Sequence, residues 1–157
     1  MTLPVRTAIR KVAWTPQEYG RAQATAAEAV LLRQPQIEIP LRHFFSPGVY
    51  AREMTVPAGV VLTGKIHKYA QLNILSKGEV SVLLEDGVKR IKAPFTIVAP
   101  AGAKRVFYAH EESVWTVILA TEETDVEKIE DQFTAATETE YQQFLENKEG
   151  ALKCLSS

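Results

Sequence analysis

A chain of 157 residues with 46% hydrophobic content is long enough to bury its own core and predicts a single domain. Its formal net charge of −1 gives no general basis for binding nucleic acid, and it has no run of about 18 apolar residues that would predict a membrane span. Cys154 is the only cysteine, which excludes a disulfide within the chain, and the N-terminus lacks a secretion pattern, so the sequence predicts a cytoplasmic protein.

The N-terminal segment, residues 1–36, predicts an arm followed by a helix. Thr15 can cap the first turn, Pro16 fits the first helical position, and Glu18 completes a capping box. The helix is expected to run through Arg33 and to end ahead of a proline. The residues expected on its buried side are Tyr19, Ala26, Val30 and Leu31.

Residues 37–120 alternate short β-rich runs with turn residues, which predicts an antiparallel sandwich or barrel of eight or nine strands. Ser46-Pro47-Gly48 predicts a turn, and Asp86-Gly87 predicts a tight hairpin because glycine accepts a positive φ. Pro40 places the first strand at a sheet edge, because proline cannot donate to a ladder. The predicted strands are 37–44, 49–56, 60–66, 71–75, 80–84, 95–98, 104–108 and 114–120.

The pattern changes again in residues 121–157, which predict a C-terminal helical extension. The pairs Thr124 with Glu127 and Thr137 with Glu140 have capping-box spacing, so each predicts the start of a helix. The predicted helices cover residues 125–133 and 138–147, the second with Tyr141, Phe144 and Leu145 on one side and Asn147 and Gly150 at its end.

Charge is distributed unevenly along the chain. Residues 1–50 carry six Lys and Arg against three Asp and Glu, whereas residues 121–157 carry three against ten. Both extensions also carry apolar residues beyond what a small barrel needs. Together these features predict that the partner is a second copy of the chain, most simply in a dimer built with the terminal segments.

Two spaced residue sets in the β-rich region match a known pair of motifs. The first set is Gly59, Lys65, His67, Gln71 and Gly78. The second set is Pro100, Gly102, Arg105 and Ala109. In spacing, and in its glycines and proline, the chain resembles the cupin family over about residues 37–120. The resemblance implies a cupin-type antiparallel jelly-roll barrel, here with an N-terminal helix and C-terminal helical segments.

The resemblance also implies a divalent metal held by three imidazoles and a carboxylate. At those four positions this chain has Lys65, His67, Gln71 and Arg105. An ammonium group repels a cation, a guanidinium cannot coordinate one, and one imidazole with one amide is too small a ligand set. The sequence therefore predicts no metal and no cofactor. Two alternatives for a metal remain. If the register slips by two, one strand face presents His67, Tyr69, Gln71 and Asn73, a set that still lacks a second imidazole. The other is a site built from all three histidines, His43, His67 and His110.

A barrel mouth with two cations and an imidazole predicts a small anionic ligand instead, such as a carboxylate, a phosphate or a sugar nucleotide. The residues expected to bind it are Lys65, His67, Gln71, Arg105, Tyr69 and Tyr108. The tyrosines enter because the metal-free members of this superfamily include sugar-nucleotide epimerases, which use a histidine base and a tyrosine acid. Glu53 is the candidate to orient the histidine in that role. If Lys65 and Arg105 point to solvent at the rim, the anion site is absent.

The leading prediction is a metal-free, cupin-like binding or structural protein with an anion pocket. The segments Tyr50-Ala51-Arg52-Glu53 and 89–94 resemble small cupin-like proteins of tailed-phage genomes, which implies a virion-associated or host-modulating role in a bacterial cytoplasm. The alternative is a cupin enzyme of epimerase or isomerase type acting on a small anionic or sugar substrate. A degenerate metal-dependent dioxygenase or isomerase is the third hypothesis.

Overall fold

The computed structural model describes residues 15–156, and this part of the chain forms three helices and eleven strands. The predicted N-terminal arm, residues 1–14, lies outside it. The helices are α1 (Pro16–Leu31), α2 (Val126–Phe133) and α3 (Glu138–Leu155). The strands are β1 (Leu41–Ser46), β2 (Val49–Val56), β3 (Val61–Thr63), β4 (Ile66–His67), β5 (Gln71–Lys77), β6 (Glu79–Leu84), β7 (Gly87–Lys92), β8 (Phe95–Ala99), β9 (Val106–Ala109), β10 (Ser113–Ala120) and β11 (Thr134–Ala135).

Two antiparallel sheets pack against each other and form the predicted jelly roll. One sheet has the strand order β1-β2-β10-β5-β8, and the other has the order β3-β9-β6-β7. A short ladder of β4 and β11 joins the barrel to the segment between α2 and α3. Every strand pair in the described residues is antiparallel, so the fold class is confirmed.

The core fills one end of the barrel, where inward-facing side chains of both sheets meet. Its buried members are Val56, Leu75, Val80, Phe107, Ala109, Trp115 and Val117. The rings of Phe107 and Trp115 meet edge to face with centroids 5.3 Å apart. Fully burying an apolar side chain of this size stabilises the fold by about 1.5–3 kcal/mol, so this cluster anchors both sheets.

The strand predictions differ from the structure at three sheet edges. The first strand begins at Leu41 and not at residue 37, although it does lie at the edge of its sheet as Pro40 predicts. The predicted run 60–66 divides into β3 and β4. Strand β7 was not predicted, because its charged residues hide the apolar alternation. It is the edge strand of the four-stranded sheet, where charged side chains remain in water.

Helix α1 begins as predicted, but the prediction of its buried side is wrong. The Thr15 hydroxyl accepts a hydrogen bond from the Glu18 amide, and the Glu18 carboxylate accepts one from the Thr15 amide. Tyr19 and Val30 are more than half exposed, and Ala26 is exposed as well. The residues buried on this helix are Arg21 and Ala24.

The helix docks through ion pairs, which apolar periodicity does not reveal. Arg21 Nε lies 3.0 Å from Glu138 Oε2 of α3, and Arg21 Nη1 donates to the Gly102 carbonyl. Glu28 pairs with Lys104, whose side chain is buried. The Arg21–Glu138 contact joins the basic front of the chain to its acidic back within one molecule. Because this contact lies within one molecule, it does not test whether two copies associate. The dimer stays a prediction, which light scattering can test.

The two C-terminal helices differ from the prediction at one end each. Asp125, not Thr124, caps α2, and its Oδ1 accepts from the amides of Glu127 and Lys128. Thr137 caps α3 as predicted, but the helix continues to Leu155 through Gly150, because a single glycine costs only about 1 kcal/mol and no proline follows. The predicted packing side is confirmed: Tyr141, Phe144 and Leu145 lie against Ile66 and Ala135. No helix in residues 15–156 is long and apolar enough to cross a membrane.

The outer face of the five-stranded sheet carries an apolar row. In the register of the strands, the row consists of Phe44, Ala51, Ile118, Leu72 and Val98, one residue from each strand. Phe44, Leu72 and Val98 are exposed. Alternate side chains of the same strands therefore point inward, into the barrel, and these inward residues build the candidate site.

Candidate functional site: a cavity in the barrel

A cavity of about 310 Å³ lies between the two sheets and is covered by α2. Of the six predicted ligand-binding residues, Lys65, His67, Gln71 and Arg105 line it. These positions of the two motifs therefore converge on one space: Lys65 lies at its partly exposed rim, and His67, Gln71 and Arg105 lie deeper in the barrel.

Tyr69 and Tyr108 do not line this cavity, so the structure does not bring them together with the other four. The ring of Tyr69 packs against Phe133 and Phe144, with centroids 5.6 and 5.3 Å apart. Tyr108 packs against His110, with centroids 4.7 Å apart. Because Phe107 points into the core and side chains alternate along a strand, its neighbour Tyr108 must point outward.

Sequence reasoning did not place Arg52 or Glu130 in the pocket, and it considered Asn73 only as part of a metal site, yet all three line the cavity. Arg52 of β2 and Asn73 of β5 both lie opposite Val117 of β10, so they form one row across the sheet. The alternation of Tyr50, Arg52, Met54 and Val56 was visible in the sequence. An arginine on the apolar face of such a strand was the available signal of an internal charge.

Four buried side-chain atoms of the described residues have no hydrogen-bond partner. They are Arg52 Nε, His67 Nδ1, Asn73 Oδ1 and Arg105 Nη2. All four residues line the same cavity. An unpaired buried polar group costs about 1–3 kcal/mol, and native structures leave few of them. Because all four atoms lie around one cavity, this cavity is the candidate site for a polar ligand.

The cavity carries an excess of positive charge. Lys65 Nζ lies 2.8 Å from Glu130 Oε1 of α2, so this cation is already paired at the partly exposed rim. Arg105 Nη1 donates to Glu85 at 2.7 Å and to the Leu83 carbonyl at 3.3 Å, which leaves Nη2 unpaired. Arg52 has no ion pair within residues 15–156.

His67 is fixed by its backbone and is neutral at pH 7. Its amide donates to the Ala103 carbonyl at 2.9 Å, and its carbonyl accepts from the Gly102 amide at 2.7 Å. Burial, together with the nearby Arg105 and Arg52 cations, lowers the pKa of the imidazole from 6.5 to about 4. A neutral imidazole can both accept and donate one hydrogen bond, so His67 presents a polar, uncharged group to the cavity.

We expect His67 to make the protein less stable in mild acid. Its folded pKa of about 4 lies below its ordinary value of 6.5, so the unfolded chain takes up this proton first as the pH falls. Stability is therefore unaffected above about pH 6.5 and declines towards pH 4, by about 2 kcal/mol at pH 5. Urea unfolding of the wild type and of His67→Gln at about pH 7.5 and 5 measures this difference. Equal losses of stability in both proteins would contradict it.

The residues present do not fit the metal that the cupin resemblance implies. His43 Nδ1 lies 2.8 Å from the Tyr50 hydroxyl, and His110 Nε2 lies 2.8 Å from the Ser81 hydroxyl, so the three histidines do not share a site. In the described part of the chain no three His, Cys, Asp or Glu residues are grouped to hold a metal ion. Two guanidinium groups at the cavity wall also disfavour a bound cation.

The residues of the epimerase alternative are not assembled either. His67 has neither Tyr69 nor Tyr108 beside it in the cavity. Glu53 lies on the outer side of β2, where its carboxylate is 3.4 Å from Arg42, so it does not orient His67. Tyr50 does line the cavity, but its hydroxyl is hydrogen-bonded to His43.

No family model matches the chain, and no curated protein matches it. Among solved structures it is similar to KdgF from Halomonas sp., with 19% identity and a TM-score of 0.48 over 57% of this chain and 87% of that one. It is also similar to a cupin superfamily protein from Desulfitobacterium hafniense (12% identity, TM-score 0.46, 60% and 87% covered). A third is an acetylacetone dioxygenase from Acinetobacter johnsonii, with 21% identity and a TM-score of 0.45 over 55% of this chain and 66% of that one. The strand order and register, rather than these scores, define the fold as an antiparallel jelly roll.

Proposed function

We propose that this protein binds a small organic anion inside its barrel, without a metal. The observation that carries the proposal is the group of four unpartnered buried atoms, two of which belong to arginines, around one cavity. A guanidinium N–H donates strongly to a carboxylate, and hydrogen bonds to charged groups are about twice as strong as neutral ones. An anion placed here would satisfy Arg52 and Arg105 together.

The charge balance supports an anion over a neutral guest. The lining includes three cations, Arg52, Lys65 and Arg105. Lys65 pairs with Glu130 and Arg105 pairs with Glu85, so within residues 15–156 the charge of Arg52 is left without an ion pair. His67 adds no charge at neutral pH, because its pKa is about 4. A partly desolvated positive charge without a partner is costly, and a bound anion offsets that cost. The positive excess therefore favours the binding of a negatively charged ligand.

A thermal-shift screen of the full chain tests the proposal. Acetate, benzoate, 3-phenylpropionate, gluconate and inorganic phosphate are compared at equal ionic strength with chloride as the control. An anion at 100 times its Kd should stabilise the protein by about 2.7 kcal/mol, which is roughly 5–10 °C for a chain of this size. If every anion leaves the unfolding temperature within about 1 °C of the chloride control, the proposal fails.

The Arg105→Gln variant is the matched test of location. Gln keeps a donor at this place but removes the charge, so the variant should lose most of the shift produced by the organic anions. Arg90→Gln is the control, because Arg90 lies on the edge strand β7 and pairs with Glu79 outside the cavity. Equal shifts in the two variants would mean that the anions bind elsewhere.

A further inference from the structure

Apart from the Lys65–Glu130 ion pair at its rim, the cavity has three layers, and only the middle one is polar. Along β2, Tyr50 contacts Ile129 and Phe133 of the covering helix, and Arg52 follows two residues further into the barrel. Met54 comes next and lies opposite Trp115, at the edge of the core. The order from α2 inward is therefore a roof that is apolar except for Glu130, a polar girdle and an apolar floor.

The girdle and the floor differ in chemistry. The girdle holds the four unpartnered atoms of Arg52, His67, Asn73 and Arg105. The floor residues that line the cavity are Met54, Leu62, Val82, Phe107 and Trp115, and they offer no charged group. A guest that fills the cavity must therefore place a polar group at the girdle and an apolar group on the floor.

We propose that the ligand is a monocarboxylate with an apolar, ring-sized body, held with its carboxylate at the girdle and its body on the Trp115 floor. This inference rests on the proposed anion site and names its ligand class. The two arginines donate to the carboxylate oxygens. The rings of Phe107 and Trp115, which already meet edge to face at 5.3 Å, provide a flat apolar contact for the body.

Hydrophilic anions fit this arrangement less well. A sugar acid would place several hydroxyl groups against Leu62, Val82 and Phe107, where they would find no hydrogen-bond partner. An inorganic phosphate would fill the girdle but leave the floor empty, and would gain nothing from apolar burial. Small-molecule pockets span about 300–1,000 Å³, so a cavity of about 310 Å³ is at the small end of that range. A small aromatic acid has this size.

Isothermal titration of the full-length chain tests the ligand class with two matched sets of probes. The first set compares 3-phenylpropionate with its neutral amide, with gluconate and with inorganic phosphate. We expect 3-phenylpropionate to bind at least tenfold more tightly than each of the others. The second set is the straight-chain series from acetate to hexanoate, in which each added methylene should raise the affinity roughly fourfold until the apolar floor is covered.

The outcomes separate this inference from the proposed function. If gluconate or phosphate binds more tightly than 3-phenylpropionate, or if the affinity is constant along the chain-length series, the ligand does not have an apolar body. The proposed anion site is then unaffected. If no anion binds, or if the amide binds as tightly as the carboxylate, the anion site itself is wrong. The Leu62→Trp variant adds a measurement at the floor: it should weaken the binding of 3-phenylpropionate at least tenfold more than the binding of acetate, whereas equal losses for both would also overturn the inference.

Discussion

Replacing Gly78 with alanine should destabilise the protein by about 2–4 kcal/mol. Gly78 lies between β5 and β6 with φ of +90°, a conformation that L-residues rarely adopt. A Cβ at this position would overlap the Ser113 hydroxyl, and it would lie 2.5 Å from the Glu112 carbonyl oxygen and 2.8 Å from Ser113 Cα. These are backbone atoms at the start of β10, and Ser113 is fully buried, so they cannot move aside cheaply.

Gly59→Ala is the matched control for this change. Gly59 has nearly the same φ, +82°, but nothing lies within 4 Å of its added Cβ. Only the backbone strain remains, and we expect a loss of about 1 kcal/mol. Urea unfolding of both variants measures the difference. If the two losses are equal, the contact with β10 has no energetic role and the strain alone determines the cost.

These two glycines show why the fold could be predicted from the sequence. Gly59 and Gly78 stand at motif spacings, and each motif position corresponds to a backbone conformation that other residues adopt at a cost. The hairpin at Asp86-Gly87 and the capping box at Thr15 are similarly local, because a few neighbouring residues determine them. Features of this kind specify where strands and helices begin and end, and the structure confirms most of them.

The contents of the site depend on long-range pairing, which the sequence does not display. Arg52 and Asn73 lie in one row only because β2 and β5 both pair with β10. The two residues are far apart in the sequence, so the row cannot be recognised there. Tyr108 was predicted from its residue type, but the inward position of Phe107 turns it outward. The docking side of α1 was missed for a related reason: its partner groups, Lys104 and Glu138, come from distant parts of the chain.

Replacing Arg52 with methionine should weaken the binding of 3-phenylpropionate at least 100-fold, while the fold stays as stable as the wild type or gains about 1 kcal/mol. The variant removes a charge-assisted donor to the ligand. It also removes the buried Nε that has no partner in the free protein. Methionine is of similar length and would face Val117, its neighbour on β10. A residue that is unfavourable for folding but required for binding is expected at a functional site.

The control is Arg42→Met on the adjacent strand β1. Arg42 is largely exposed and pairs with Glu53 at 3.4 Å on the outer face, so its loss should change stability by less than about 1 kcal/mol and leave binding unchanged. Titration with 3-phenylpropionate and urea unfolding of both variants give the two readouts. Binding by Arg52→Met within tenfold of the wild type would show that Arg52 does not contact the ligand. A stability loss of several kcal/mol in Arg52→Met would instead show that the guanidinium group stabilises the barrel. Its unpaired Nε would then not be evidence for an anion site.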